Sequence, residues 1–203
     1  MNRNDALEDL AYVRTLAEAG HVAPLLGGGH LAAFGTLTAL AYIGHYAVLT
    51  GPMPPHMFAV VWSAYGVAMA GAAWLLERRV RGKPGQGAVG NRVERAVWFS
   101  AGFAIFAVFL GSAGRAIATQ DGAAMDLLAP TVFAAYATGL MTTGRIVGDR
   151  LLIGAAVVAY GVAILAVLLL FTPTLYLVVA GGALVTLAAP GFVLMRREPS
   201  EIV

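Results

Sequence analysis

Residues 150–174 read RLLIGAAVVAYGVAILAVLLLFTPT. From Leu151 to Phe171 the chain carries no charge, and Arg150 and the Thr-Pro-Thr turn mark its two ends. A helix rising 1.5 Å per residue needs about 20 apolar residues to cross the ~30 Å hydrocarbon layer of a bilayer. This stretch meets that length without help from its neighbours, so it predicts a membrane-spanning helix rather than a buried core helix.

The rest of the chain repeats the pattern. Further apolar runs lie at 31–49, 57–76, 97–117, 127–145 and 175–195, giving six predicted spans with 151–171. The segments between them carry charge or helix-breaking residues: GPMPPH, ERRVRGKPGQGAVGNRVER, TQDGAAMD, GDR and TPT. Of the 203 residues, 59% are hydrophobic and 12% charged. Soluble domains carry about 25% charged residues. A chain this short could not bury so much apolar surface against itself, so lipid is the expected surrounding. There are no cysteines, which excludes disulfides, thiolate metal sites and thiol nucleophiles.

The basic residues set the predicted orientation. Arg3 and Arg14 precede the first span, and Arg78, Arg79, Arg81, Lys83, Arg92 and Arg95 lie between the second and third. Arg145 and Arg150 separate the fourth and fifth, and Arg196 and Arg197 follow the sixth. With both termini inside, all of the 13 basic residues except Arg115 are cytoplasmic. The expected fold is therefore all-α: a polytopic six-helix bundle in a bacterial-type cytoplasmic (inner) membrane, N-in and C-in. The bundle proper covers 29–197, with a short cytosolic tail at 198–203.

Residues 4–20, NDALEDLAYVRTLAEAG, predict a cytosolic amphipathic helix ahead of that bundle. Asn4 or Asp5 can cap it, Glu8 supports the cap and Gly20 ends it. Leu7, Leu10, Val13 and Ala17 recur at helical spacing, with Tyr12 and Leu16 widening the stripe, and Leu7, Leu10, Tyr12, Val13 and Leu16 are the candidate partner-binding residues. Asp5, Glu8, Asp9 and Glu18 work against simple attraction to anionic lipid, which favours Lys and Arg. The acidic groups also distinguish the segment from a secretory signal, so it is expected to remain in the mature chain. Gly27–Gly29 is the expected hinge between the two parts, which makes 1–28 a unit of its own.

No Asp, Glu, Lys or Arg lies near the middle of any span, which removes the usual signature of ion-coupled transport. Polar character comes instead from tyrosines at mid-depth and from groups near the predicted outer surface. The candidate ligand-binding residues are Tyr42, His45, Tyr65, Tyr136 and Tyr160, with His56, Arg115 and Asp121 at the outer face. The plainer expectation there is an Arg115–carboxylate pair, formed with Asp121 or Asp126, that clamps a hairpin. Two histidines and an aspartate are suitable metal donors, yet no HxxxH or ExxH pair lies on one helix, and no metal site is expected. Haem held by His30 and His45 fails on distance, because their separation along a helix is about 22 Å. No cofactor is expected.

Small residues recur at helix-packing spacing in Gly66-x3-Ala70, Ala155-x3-Ala159-x3-Ala163 and Gly144-x3-Gly148. They suit packing within the bundle and also suit a homo-oligomer seam. The pentapeptide AYGVA at 64–68 and again at 159–163 fits a 3+3 inverted repeat. Catalytic motifs are weak: GSAG at 111–114 has no histidine after it, and GKPGQG at 82–87 lacks the phosphate-loop pattern. The expected function is a small signalling or regulatory membrane protein. Its N-terminal helix and basic inner loop would engage a cytosolic protein such as a transcription regulator, with no direct nucleic-acid binding. A small-solute transporter or channel is the competing class, and a membrane-embedded enzyme the remaining one.

Overall fold

The computed structural model describes residues 25–83 and 85–198. The amphipathic segment with Leu7, Leu10, Tyr12, Val13 and Leu16 lies outside the described residues, as does most of the C-terminal tail. Within them the fold is helical, with no strand. The helices are α1 Gly28–Leu49, α2 Met57–Val80, α3 Val89–Thr119, α4 Leu128–Val147, α5 Arg150–Leu168, α6 Thr174–Ala183 and α7 Ala189–Met195. A 3-10 turn, Gly122–Leu127, leads into α4, and a wide π turn, Leu184–Ala188, joins α6 to α7. Among the described residues six helices are long and apolar enough to cross a membrane, α6, the π turn and α7 counting as one.

Local chemistry explains the boundaries. Gly148 ends α4 at φ 72°, where a side chain would be strained, and its N–H returns to the Gly144 carbonyl. Asp149 then caps α5, its Oδ1 accepting from Leu151 N at 2.7 Å and Leu152 N at 3.3 Å. The two-residue Gly-Asp turn makes α4 and α5 a tight antiparallel hairpin. In the last span, Pro190 has no N–H and its ring would crowd the carbonyl of Thr186 in a regular helix. The π turn just before it widens the helix at that point.

The helices follow one another around a ring in chain order. α1 packs on α2, α3 on α4, α4 on α5 and α5 on α6, and the last span closes back onto α1. That closing seam is the tightest: a Cβ at Gly35 would collide with Ala188 N, and one at Gly191 with the Ala32 backbone. Gly28 and Gly29 belong to the first turn of α1, and a Cβ at Gly28 would lie 2.6 Å from Met195 N. Among the described residues the ring is open between α2 and α3, which do not pack appreciably on each other. Their outer faces are correspondingly bare, with Val67 75% and Phe99 69% exposed. The core sits in the opposite half, where Phe133, Ala156, Ala159, Leu175 and Val179 are fully enclosed.

Because the spans alternate in direction, the first and last helices meet at what is here termed the terminal end of the bundle. All described Lys and Arg residues except Arg115 lie at that end. The opposite, distal end holds Leu49, His56, Arg115 and the 3-10 turn.

The two AYGVA copies occupy different surroundings. In the first, Tyr65 turns toward α1 while Ala64 and Val67 are exposed. In the second, Ala159 and Val162 are buried and Tyr160 lies at the outer edge.

Candidate functional site

Inside the distal half of the ring, aromatic side chains from α2 and α6 close around His45 on α1. Its imidazole stacks on Tyr176 with centroids 3.7 Å apart and meets the edge of Phe58 at 4.8 Å. Trp62 Nε1 donates to His45 Nδ1 at 3.3 Å. A nitrogen that accepts carries no proton, so the neutral ring is protonated at Nε2. On the far side, the Tyr176 hydroxyl donates to Asp126 in the 3-10 turn. His45, Trp62, Tyr176 and Asp126 thus form one packed plug at the distal end.

Deeper in the ring the hydroxyls converge. Thr38 Oγ1 and Tyr65 OH are 3.1 Å apart, either acting as donor. Tyr136, reaching in from α4, interacts with Thr38, Tyr65 and Tyr42. Aromatic rings wall this centre: Trp62 stands 5.5 Å from Tyr65 and 5.6 Å from Tyr42, and Trp98 stands 5.9 Å from Tyr136. A hydroxyl in an apolar layer is costly without a partner, and here Thr38 and Tyr65 serve each other.

Of the candidate residues, the structure therefore brings together Tyr42, His45, Tyr65 and Tyr136. The others stand elsewhere. Tyr160 bonds Thr138 at 3.2 Å on the outer side of the α4–α5 hairpin. His56 is an exposed residue before α2, and Phe58 rather than His56 approaches His45. Asp121 caps the 3-10 turn through Ala123 N at 2.9 Å. The expected Arg115–carboxylate clamp is not formed among the described residues: Asp121 holds a backbone N–H and Asp126 holds Tyr176, which leaves Arg115 exposed with no ion pair. Sequence reasoning passed over Trp62 and Tyr176. Their signal was depth, since both lie within about two turns of the distal end, level with His45.

The terminal end is tied by side chains from the α2–α3 loop and the start of α3. At 31 residues, α3 is about 46 Å long, so its ends reach beyond a ~30 Å apolar layer. Its first turns lean over the start of α1. Asn91 Oδ1 accepts from Leu26 N at 2.8 Å, Asn91 Nδ2 donates to Gly85 O at 2.9 Å, and the Glu94 carboxylate lies against Gly27, whose N–H it accepts. Lys83 pairs with Glu198 at 2.7 Å, both largely shielded from solvent, and Arg197 pairs with the helix cap Asp149 at 2.9 Å. The Asn91 and Lys83 contacts fasten both ends of the described chain to the α2–α3 region, and Arg197 ties the last helix to the α4–α5 turn.

Two spaces border this framework. A recess with room for about one water lies between Gly29, His30, Leu76, Arg79 and Glu198 at the terminal end. A shallow groove of about 630 Å³ runs along α3 and α4, lined by alanines with Ser100, Thr131, Thr138 and Thr142. Among the described residues no group of three His, Asp or Glu side chains gathers to hold a metal ion. No family model, curated protein or solved structure compared with the chain matches it.

Proposed function

We propose that this chain is a signalling or regulatory protein of a bacterial-type cytoplasmic membrane, with both termini in the cytoplasm. Its N-terminal helix and the basic α2–α3 loop engage a cytosolic protein. The single observation that supports this reading most is the tie between Asn91, Glu94 and the residues leading into α1. It couples Leu26 and Gly27, which follow the N-terminal segment in the chain, to the position of α3. A shift within the ring would therefore move the segment that a partner reads. The segregation of basic residues to the terminal end supports the orientation.

Capture from a cell lysate tests the partner claim, using the full chain and a variant carrying Leu7→Asp and Leu10→Asp. The apolar stripe is the proposed contact, so the variant is expected to lose a cytosolic protein that the parent retains. Equal capture by both, or capture of no cytosolic protein by either, contradicts it. The competing reading, a small-solute transporter, draws on the hydroxyls gathered inside the ring. It gains ground if the purified chain moves solute in liposomes while the double variant captures as the parent does.

A further inference from the structure

We infer that the hydroxyl centre formed by Thr38, Tyr65 and Tyr136 is a binding site for a neutral, membrane-dissolved molecule with a planar, oxygen-bearing head group of the quinone type. Three independent observations carry this, and none depends on the partner reading above. The first is access. The distal end is plugged by His45, Tyr176 and Asp126, and the terminal end is tied by Asn91, Glu94 and Lys83. Among the described residues the ring is open along its side, where α2 and α3 do not pack appreciably on each other. A molecule arriving by that route comes from the apolar layer and not from water.

The second is charge. The residues gathered at the centre carry hydroxyls and rings and no ionised group. A charged ligand would find nothing there to offset its desolvation, so the occupant is neutral. The third is shape and hydrogen bonding. Trp62 beside Tyr65 and Trp98 beside Tyr136 present flat rings within 6 Å of the two phenols, and such walls favour a planar head group over a saturated chain. Phenol and threonine hydroxyls can each donate to a carbonyl oxygen or accept from a hydroxyl, which suits both the oxidised and the reduced form of a quinone.

The chain has three tryptophans, Trp62, Trp74 and Trp98, and Trp74 lies outside the centre with Arg78 over its ring. Quinones quench tryptophan fluorescence on contact. In the full-length Trp74→Phe protein in lipid nanodiscs, titration with a short-chain benzoquinone is expected to quench saturably. Adding Tyr136→Phe or Thr38→Val is expected to weaken that binding about tenfold, as loss of one well-made hydrogen bond does. A variant with Trp62→Phe and Trp98→Phe, which keeps only Trp74, is expected to show linear quenching by collision. Circular dichroism and thermal unfolding of each variant separate lost binding from lost folding, and phenylalanine in place of tyrosine keeps the packing. The inference is overturned if Trp62 and Trp98 quench as linearly as Trp74 does. It is also overturned if removing either hydroxyl leaves the affinity unchanged, or if a saturated isoprenoid alcohol displaces the quinone at equal concentration.

Discussion

At the scale of single residues, the distal plug turns on Asp126 and Tyr176. Tyr176 sits one turn into α6, and its hydroxyl reaches a carboxylate fifty positions earlier in the chain. The phenol also supports the stacked His45 ring. Tyr176→Phe keeps the ring and removes only the hydroxyl. A hydrogen bond to a charged acceptor contributes about 2 kcal/mol, so the variant is expected to unfold in detergent at a clearly lower temperature than the parent. Unfolding at the parent's temperature would mean that water replaces the bond. Sequence reasoning found His45 and the neighbourhood of Asp126, but it paired the acidic groups with Arg115. Opposite charges in one short region invite that pairing. What decides otherwise is the pair of local demands on the carboxylates: Asp121 is taken by the 3-10 turn it caps, and Asp126 by the Tyr176 phenol.

Helix boundaries were the most legible feature at the scale of elements. Length and hydropathy located every span, because an apolar layer tolerates unpaired backbone groups so poorly that each crossing must be a complete helix. The differences lie at the ends. α3 begins at Val89, eight positions before its apolar run, because Asn91 and Glu94 gain buried partners there. The π turn was not legible from hydropathy, which is blind to Pro190 as long as its neighbours are apolar. Nor could periodicity show that α2 and α3 stand apart, since lipid-facing and protein-facing surfaces are equally apolar. The tie at the start of α3 yields a prediction for that element. In a Leu25→Cys reporter, whose native side chain is buried, Asn91→Ala is expected to speed thiol labelling about fivefold or more. An unchanged rate would mean that Glu94 alone holds the segment.

At the scale of the whole molecule, the ring in chain order sets a few hydroxyls within an otherwise apolar core and gathers the described Lys and Arg residues, Arg115 apart, at one end. Short hairpins follow from the Gly-Asp, Gly-Pro and Thr-Pro turns. Closure of the last span on the first follows from Gly28, Gly35 and Gly191, where the two backbones meet. The candidate site was half legible. Tyrosines at mid-depth announced a hydroxyl centre, but which of them met depended on helix rotation, and Tyr160 rotated outward while Tyr65 rotated inward. The central claim is that this ring crosses a membrane with its basic, terminal end in the cytoplasm. The chain contains no cysteine, so single thiols report position cleanly. Met53→Cys in the distal loop and Gln86→Cys in the α2–α3 loop are to be labelled in intact cells with a membrane-impermeant maleimide. The account predicts labelling at 53 in intact cells and at 86 only after permeabilisation. Labelling at 86 in intact cells, with 53 protected, would contradict it.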